Sequence, residues 1–510
     1  LAAGATQHEV GATQTYKSPC ALLAAVTLAP GDVILVDAGT YTDFCQIKQS
    51  GTAQSPLVMM GAPGPRPVFD GTGNDLSGAG SVPRAIFQFT GASHWRVSHL
   101  ELKNATGSSG NGAAFRATAS SDDDVVSDNS IHDCEDGLMS DGSGTFTIQN
   151  NEIFHNGAND GQTHNMYLDS DTVRIVGNYI HDSNGGQNVK LRVHYAEVLY
   201  NFIANAGNYE MDLIQGPPLT DQPDSNVVMI GNVLVRNPNA ANHGQTIVFG
   251  SDNPAQTGRN GSFYAINNTF VMTASTNSLV HAIAPPAGAQ ILFFNNIIHA
   301  TVAGTTMSYD AATAALYGGT NNWVTTGIAA PAGLTGSLTG AAPGFASATD
   351  YHLTASAPAR DKGTSTLSYV DGAGASQNGT PTMEFASLGN GAYGTINRLQ
   401  DGTIDLGAFE DGTPDGGAPG NPDAGGDAAA GGDASAGGKD AGNGADTGPT
   451  GCQGCESGDD PNRNGGSASA TKSSGCSCVL GDDVAGTLSG ATSLLVLLSA
   501  LARRRTRRHP

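Results

Sequence analysis

Charge is scarce in this 510-residue chain, and positive charge is scarcest. Charged residues make up 14% of the sequence, with 23 Lys and Arg against 46 Asp and Glu, which gives a formal net charge of −23 at pH 7. Because proteins bind phosphate backbones through basic surfaces, this balance argues against general nucleic-acid binding. The acidic surface would also weakly repel acidic polymers at long range.

Long amphipathic helical patterns are also hard to find, whereas glycine is abundant, with 70 residues. Asparagine is frequent through the first 300 positions. Both residues tolerate the positive φ that tight turns require, so the composition favours many short strands joined by turns. The sequence begins at Leu1 without a signal-peptide pattern, and we expect either that a leader was removed or that the sequence is a fragment.

One six-residue pattern recurs along the chain: an apolar residue, two unspecified residues, Asn, one unspecified residue and a second apolar residue. An earlier copy carries Leu100 in place of Asn. The spacing predicts one solenoid rung of two or three strands per copy. Stacked rungs would place the amides in a ladder, each bonded to the amides above and below. The seven copies are centred on Asn129, Asn151, Asn178, Asn201, Asn232, Asn268 and Asn296.

Three further segments between these copies align with one another: Asn165–Asp169, Asn188–Arg192 and Glu210–Ile214. Each alternates apolar and polar residues, as a strand with one buried face does. The apolar residues would point inward and the residues between them outward. The predicted inward residues are Met166, Leu168, Val189, Leu191, Met211 and Leu213.

Both ends of the repeat region resemble a known class. The segments Leu28–Tyr41 and 64–71 (GPRPVFDG) resemble the opening of right-handed parallel β-helix proteins of the pectate-lyase-like class. The segments 350–354 (DYHLT), 356–363 (SAPARDKG) and 405–410 (DLGAFE) resemble their far end. The resemblance covers roughly residues 20–410. It implies an all-β fold, a single-stranded right-handed parallel β-helix over residues 1–410.

Cysteine placement suggests one disulfide near the start of the solenoid. Cys20 and Cys45 flank the first apolar run, Val33–Val36, and in an oxidising compartment a bond between them could close the amino-terminal end. The alternative is a pair of buried thiols. Cys134 would be the odd cysteine and a small core residue.

Composition changes sharply after Glu410. Residues 411–451 consist almost wholly of Gly, Ala, Asp, Pro, Asn, Ser and Thr and predict a disordered linker. A Cys-containing region follows at 452–483, and an apolar stretch at 484–502 just reaches the length of a transmembrane helix. The basic residues of 503–510 would keep the terminus in the cytoplasm.

The sequence from Gly475 to Cys478, the apolar stretch and the arginine run together resemble the carboxy-terminal sorting tail of myxobacterial surface proteins. The resemblance implies processing near Cys476 and Cys478, lipid attachment, and display at the cell surface. The rival interpretation is a zinc site formed by these two cysteines with Cys452 and Cys455. The Cys-x-Cys pair is tight for usual zinc spacing, and the setting is extracellular.

Polar side chains converge on the outward face of the three aligned strands. Tyr167 and Asp169, then Lys190 and Arg192, then Glu210 and Asp212 would form a column over consecutive rungs about 4.8 Å apart. In this column Lys190 would lie between Tyr167 and Asp212, and Arg192 beside Asp169. His164 and His194 flank the column.

This column is similar to the sites of β-helix lyases that use Lys and Arg. β-Elimination on a uronate needs a cation to neutralise the carboxylate and a base to take the α-proton. Arg192 would neutralise and Lys190 would act as base, while Tyr167 or His194 donates to the leaving oxygen. His164, Asp169, Glu210 and Asp212 would contact the substrate.

Two other interpretations stay open. The carboxylates of Asp169, Glu210 and Asp212 could serve a glycoside hydrolase. However, the Gly-His-Gly of polygalacturonase-type enzymes is absent, and Lys190-x-Arg192 is reversed from their Arg-x-Lys. Alternatively, opposite charges on neighbouring rungs would stabilise the solenoid without catalysis. The protein would then be a non-catalytic adhesion or structural protein of the cell envelope.

Calcium is the metal that the repeat region suggests. Carboxylate oxygens suit this cation, and four lie together at Asp122, Asp123, Asp124 and Asp128. No regular calcium-loop pattern is present, and an acidic solvated turn is the alternative. Taken together, the sequence predicts an exported monomer at the cell surface that binds or degrades extracellular polysaccharide, and that contacts the membrane through its carboxy-terminal segment.

Overall fold

The computed structural model describes residues 4–240, 244–274, 276–400 and 402–411. The predicted sorting region, apolar segment and basic tail lie outside the described residues, as does all of the predicted linker except Asp411. Among the described residues, no helix has both the length and the apolar character needed to cross a membrane.

Three long parallel sheets make up most of the described chain, and each complete rung passes through them in the order sheet 1, sheet 2, sheet 3. Sheet 1 has ten strands: Cys45–Ile47, Ala85–Phe89, Ala113–Thr118, Asp136–Asp141, Met166–Leu168, Val189–Leu191, Met211–Ile214, Gln245–Gly250, Ser278–Ile283 and Thr306–Ser308. Sheet 2 has thirteen: Gln7–Val10, Val33–Val36, Leu57–Gly61, Trp95–Ser98, Asp124–Ser127, Ser143–Gln149, Ser170–Val176, Tyr195–Leu199, Val227–Ile230, Phe263–Ile266, Ile291–Phe294, Tyr317–Thr320 and Leu334–Thr335. Sheet 3 has twelve: Thr40–Tyr41, Val68–Asp70, Glu101–Lys103, Ser130–His132, Glu152–Phe154, Tyr179–His181, Phe202–Ala204, Val233–Val235, Thr269–Met272, Ile297–Ala300, Trp323–Thr325 and Leu338–Gly340.

This coiling of one chain through three parallel sheets confirms the predicted parallel β-helix. Crossovers between parallel strands of one sheet are right-handed in nearly all proteins, so the arrangement fits the right-handed form. The predicted alignment of the three middle strands is also confirmed, because Tyr167 pairs with Lys190 and Lys190 pairs with Asp212. All six residues predicted to point inward from these strands are fully buried.

The amide ladder is present and is one rung longer than the sequence pattern indicates. In each step, the backbone N–H and the side-chain Nδ2 of one Asn both donate to Oδ1 of the next. Leu100 donates its N–H to Asn129 at the start of the ladder, and Asn322 receives the last bonds. The pattern misses Asn322 because Gly319 stands where the first apolar residue is expected. The ladder satisfies a buried polar column that would otherwise be costly.

The amino-terminal end is closed by a short helix, Pro19–Ala25, which Ser18 caps by accepting from the N–H of Ala21. Cys20 in this helix forms the predicted disulfide with Cys45 in sheet 1. Cys134 is a buried free thiol, as expected for a small core residue.

The far end departs from the prediction of one uniform solenoid to residue 410. The described residues after Gly340 add no rung to the three sheets, and this segment packs back along the solenoid. It contains two antiparallel hairpins, Ser368–Val370 with Ser376–Asn378 and Met383–Gly389 with Ala392–Asn397. Aromatic residues on the outer faces of sheets 2 and 3 bury the hairpins' apolar residues, which explains why the segment folds back. The described chain also contains two 3-10 turns, Leu219–Asp221 and Ala311–Leu316.

Candidate functional site

A continuous column of outward side chains runs along sheet 1. Alternation along each strand places one residue per rung in this column, while the neighbouring residues fill the core. The polar residues concentrate in the middle and at the amino-terminal end. In rung order, the column consists of Gln46, Gln88, Arg116, Met139, Tyr167, Lys190, Asp212, Val248 and His281.

Two cations converge on one aromatic ring at the centre of this column. Lys190 Nζ lies 5.7 Å from the centroid of the Tyr167 ring, and Arg192 Cζ lies 5.9 Å from the same centroid. Lys190 Nζ is 3.0 Å from an oxygen of Asp212 and 3.6 Å from an oxygen of Asp252. Arg192 forms an ion pair with Asp252 as well. We call Tyr167, Lys190, Arg192, Asp212 and Asp252 the charged cluster.

Asp252 is the member of this cluster that no sequence pattern predicted. It lies just after the strand Gln245–Gly250, and its N–H donates to Oε1 of Gln215 at 3.0 Å. Gln215 Nε2 in turn donates to Gln256 at 2.6 Å, so both glutamine contacts fix the loop over the column. Asp252 belongs to no repeat pattern, and only the path of this loop brings it to the cations.

Burial shapes the ionisation of the carboxylates around the cluster. The Asp212 side chain is 1% exposed, and burial raises its pKa, while the charge of Lys190 opposes that rise. Beyond its contact with Lys190, neither Asp212 oxygen has a hydrogen-bond partner among the described residues. Asp169 is half-buried beside the cluster, and burial followed by the charge of Asp141 raises its pKa, against Arg192.

The prediction that Glu210 faces outward is wrong. Its strand begins only at Met211, and Glu210 lies in the preceding turn, fully buried. There it accepts from Nδ2 of Asn188 at 2.8 Å and from the N–H of Ala206, and it lies 3.5 Å from Arg236. Burial raises the pKa of Glu210 to about 7, against the charge of Arg236. The loss of this carboxylate from the outer face weakens the hydrolase interpretation, which needs a pair of accessible carboxyl groups.

The two histidines that were expected to flank the column lie apart from its open face. His194 precedes the sheet 2 strand Tyr195–Leu199, and its Nε2 donates to the carbonyl of Gly372 in the carboxy-terminal segment at 3.0 Å. His164 is buried beside Tyr167, with ring centroids 5.6 Å apart, and its Nδ1 accepts from the N–H of Gln187. Burial and then the charge of Lys190 lower the pKa of His164 to about 3, so its ring is neutral near pH 7.

A cleft of 320 Å³ extends the same outer face towards the amino terminus. Arg116, two rungs from Tyr167, forms an ion pair of 3.2 Å with Asp141 in its lining. Arg84 and Gln88 lie in the same lining. Polar and charged groups therefore continue along the outer face beyond the charged cluster.

The four aspartates suggested for calcium do not form one ligand set. Asp123 is paired with His94 and Arg96, whereas Asp128 is paired with Arg66 and His99. Asp122 accepts from the N–H of Thr145, and Asp124 accepts from that of Trp95. Among the described residues, no group of three or more His, Cys, Asp or Glu side chains is arranged to hold a metal ion. The residues therefore do not fit a calcium site as the sequence suggested.

The burial of Asp124 leads us to expect a measurable pH dependence of the free energy of unfolding. It is almost fully buried, and burial raises its pKa from 3.8 to about 8, against the hydrogen bond from Trp95. The folded state therefore holds this proton while the unfolded chain releases it above pH 3.8, so stability falls as pH rises from about 4 to about 8. Asp124→Asn should remove this slope and stabilise the protein at pH 7 by roughly 2–4 kcal/mol, because each unit corresponds to about 1.4 kcal/mol.

Urea unfolding of both proteins at pH 5 and pH 7 measures this effect. The variant should gain more over the wild type at pH 7 than at pH 5. An equal difference at the two pH values would contradict the assignment of this slope to Asp124.

The fold and the charged cluster define a parallel β-helix protein with a mixed-charge site on one outer face. No family model matches the sequence, and no curated protein matches it. Among solved structures, the pectate lyase Pel9A has 17% identity and a TM-score of 0.48, with 80% of this chain and 98% of that chain covered. An alginate lyase from a Paenibacillus species has 17% identity and a TM-score of 0.42, with 60% and 96% covered. A rhamnogalacturonan lyase has 14% identity and a TM-score of 0.37, with 62% and 87% covered. At these identities the likeness concerns the fold alone.

Proposed function

We propose that the protein binds an extracellular polysaccharide along the outer face of sheet 1 and cleaves uronate-containing chains by β-elimination at the charged cluster. The observation that carries this proposal is the convergence of Lys190 and Arg192 on the ring of Tyr167. A sugar ring can pack on an aromatic face, a guanidinium beside it suits a sugar that bears a carboxylate, and an amine on the same side can serve as a base.

Arg192 is the group that neutralises the uronate carboxylate. Its present partner, Asp252, is 38% exposed and lies on a loop, so a substrate carboxylate can take its place on the guanidinium. A planar guanidinium binds a carboxylate through two parallel hydrogen bonds, which also fixes the orientation of the sugar. Neutralising this carboxylate stabilises the charge that develops when the adjacent C–H bond breaks.

Lys190 is the base, and Asp212 takes up the proton that the lysine must lose before it can act. A lysine acts as a base only as the neutral amine, and Asp212, at 3.0 Å, can accept the surplus proton of the ammonium group. Burial supports this transfer, because an ionised carboxylate with so few hydrogen bonds is costly in a poorly solvated position. The neutral amine then takes the proton from the carbon next to the uronate carboxyl group.

The electron pairs rearrange within the substrate, and the proton that Lys190 gains is matched by the one that Tyr167 gives up. The electron pair of the broken C–H bond forms a carbon–carbon double bond, and the bond to the neighbouring glycosidic oxygen breaks. The hydroxyl of Tyr167 protonates that oxygen as it leaves. Asp169, half-buried at the edge of the cluster, can accept hydrogen bonds from sugar hydroxyls.

The test is an assay for the unsaturated product, which absorbs in the ultraviolet. The full chain is incubated with a panel of uronate polymers, with and without added calcium. A steady rise in absorbance with at least one polymer is the expected result. A flat trace across the whole panel would contradict the proposal.

A second candidate is a non-catalytic adhesion or structural protein of the cell envelope. The observation that favours it is that both cations already have carboxylate partners, Lys190 with Asp212 and Arg192 with Asp252. Such pairs can simply stabilise neighbouring rungs. Binding of a uronate polymer without any absorbance change would favour this candidate over the lyase.

We further propose export and display at the cell surface, supported by the resemblance of residues 452–510 to a sorting tail. Deletion of these residues should release the protein into the medium, because both the processing region and the apolar segment are lost. Immunoblots of cell and medium fractions measure the outcome. Retention of the truncated protein on cells would refute the sorting role.

A further inference from the structure

A second cavity lies on a different face, between the outer side of sheet 2 and the first carboxy-terminal hairpin. Its volume of 610 Å³ falls within the range of ordinary small-ligand sites. Its lining includes Asp171, His194, Tyr195, Glu197, Tyr369 and Asp371. It shares no lining residue with the charged cluster, so it needs a separate explanation.

The aromatic wall of this cavity is held in place by one carboxylate. The hydroxyls of Tyr195 and Tyr369 both donate to Oε1 of Glu197, at 3.1 and 3.4 Å. Arg174 donates to the other oxygen of Glu197 at 2.7 Å, which balances its charge. Burial, followed by the charge of Glu197, raises the pKa of Tyr195, so its hydroxyl stays protonated as a donor. Both rings are therefore held in position before any ligand arrives.

The hairpin side of the cavity is also anchored. His194 Nε2 donates to the carbonyl of Gly372, and Asn226 Nδ2 donates to the carbonyl of Val370 at 3.0 Å. A Cβ atom on Gly372 would lie only 2.6 Å from Cβ of Tyr195, so glycine permits this close approach. His194 Nδ1 is buried in the wall without a hydrogen-bond partner among the described residues.

The lining of this cavity is acidic, whereas the charged cluster contains two cations. Asp171 and Asp371 have no cationic partner in the part of the chain that the structure describes, and no Lys or Arg there lines the cavity. Asp371 accepts from the N–H group of Ala375, from Nε2 of Gln377 and from the N–H group of Ala373, and these hydrogen bonds lower its pKa. A cationic ligand would therefore meet two carboxylates in the lining without a competing cation.

We propose that this cavity is a second carbohydrate-binding site, which takes an amino-sugar unit with a free amine. The pyranose ring packs against Tyr369, whose hydroxyl shares Glu197 with that of Tyr195, and the ammonium group pairs with Asp171 and Asp371. An ammonium group beside tyrosine rings and carboxylates gains both ion-pair and cation–π attraction. A uronate would be repelled here, so the two sites select different sugars.

Calorimetric titration of the full chain with a glucosamine oligomer tests this proposal. The N-acetylated oligomer and a galacturonate oligomer serve as comparison ligands. The glucosamine oligomer should bind, and both Asp171→Asn and Tyr369→Ala should weaken binding about tenfold or more, equivalent to about 1.4 kcal/mol. Asp171 is exposed, so its variant should fold even if the hairpin tolerates no change at Tyr369.

A control variant tests whether the effect is confined to this cavity. Tyr309→Ala removes an exposed tyrosine elsewhere and should leave binding of the glucosamine oligomer unchanged. The proposal would be overturned if the N-acetylated oligomer bound equally well or if the glucosamine oligomer did not bind. It would also be overturned if Asp171→Asn bound the glucosamine oligomer as tightly as the wild type. A negative elimination assay would leave this result unaffected, because the two experiments address different faces.

Discussion

Lys190→Ala is expected to lower the rate of uronate elimination by about 10²–10⁴-fold, the range that a positioned base contributes. The substitution removes the amine that takes the carbon-bound proton and leaves Asp212 buried without its partner. Arg192→Ala should lower the rate by about 10²–10³-fold, because the developing negative charge then lacks its neutralising group. Both effects are measured as initial rates of ultraviolet absorbance with the polymer that the wild-type protein cleaves.

Lys103→Ala is the matched control for this prediction. Lys103 also pairs with a carboxylate at 3.0 Å, that of Glu101, but it lies on sheet 3. Its loss should leave the rate within about twofold of the wild type, because a partly exposed ion pair contributes little to stability. If Lys190→Ala and Arg192→Ala retain full activity while the protein still cleaves uronates, the charged cluster is not the active site.

Asn201→Ala should destabilise the solenoid strongly. Asn201 stands in the middle of the ladder, accepts two hydrogen bonds from Asn178 and donates two to Asn232. Its Nδ2 also donates to the carbonyl of Ile175 at 2.8 Å. The alanine variant would leave several buried donors and acceptors without hydrogen-bond partners, and each such loss costs about 1–3 kcal/mol of stability. We expect a loss of about 3–5 kcal/mol in the free energy of unfolding, measured by urea denaturation.

Asn184→Ala provides the comparison for the ladder. Asn184 is exposed and makes one side-chain hydrogen bond, to the carbonyl of Gly157. Its removal should change stability by no more than about 0.5 kcal/mol, as is usual at surface positions. Similar losses from the two substitutions would show that the ladder contributes no more than an ordinary surface contact.

The carboxy-terminal hairpins limit what a repeat pattern could predict. Their strands pair only with each other and lack the ladder asparagines, so the repeat gave no sign of where they pack. The aromatic residues that hold them, such as Tyr179 and Phe202, occupy outward positions of sheet 3 that the pattern marks only as variable. The cavity beside Tyr369 therefore could not be anticipated from the rungs alone.

The solenoid, its amide ladder and the register of Tyr167, Lys190 and Asp212 all follow from the sequence. Side chains alternate along each strand, and one ladder asparagine marks each rung, so the pattern around that asparagine indicates where a residue lies in space. Tertiary structure alone decided that Asp252 reaches the cations, that Glu210 turns inward, and that His194 meets the hairpin. These three outcomes depend on loops and turns. The paths of such segments follow from packing between distant parts of the chain, and no repeat in the sequence corresponds to them.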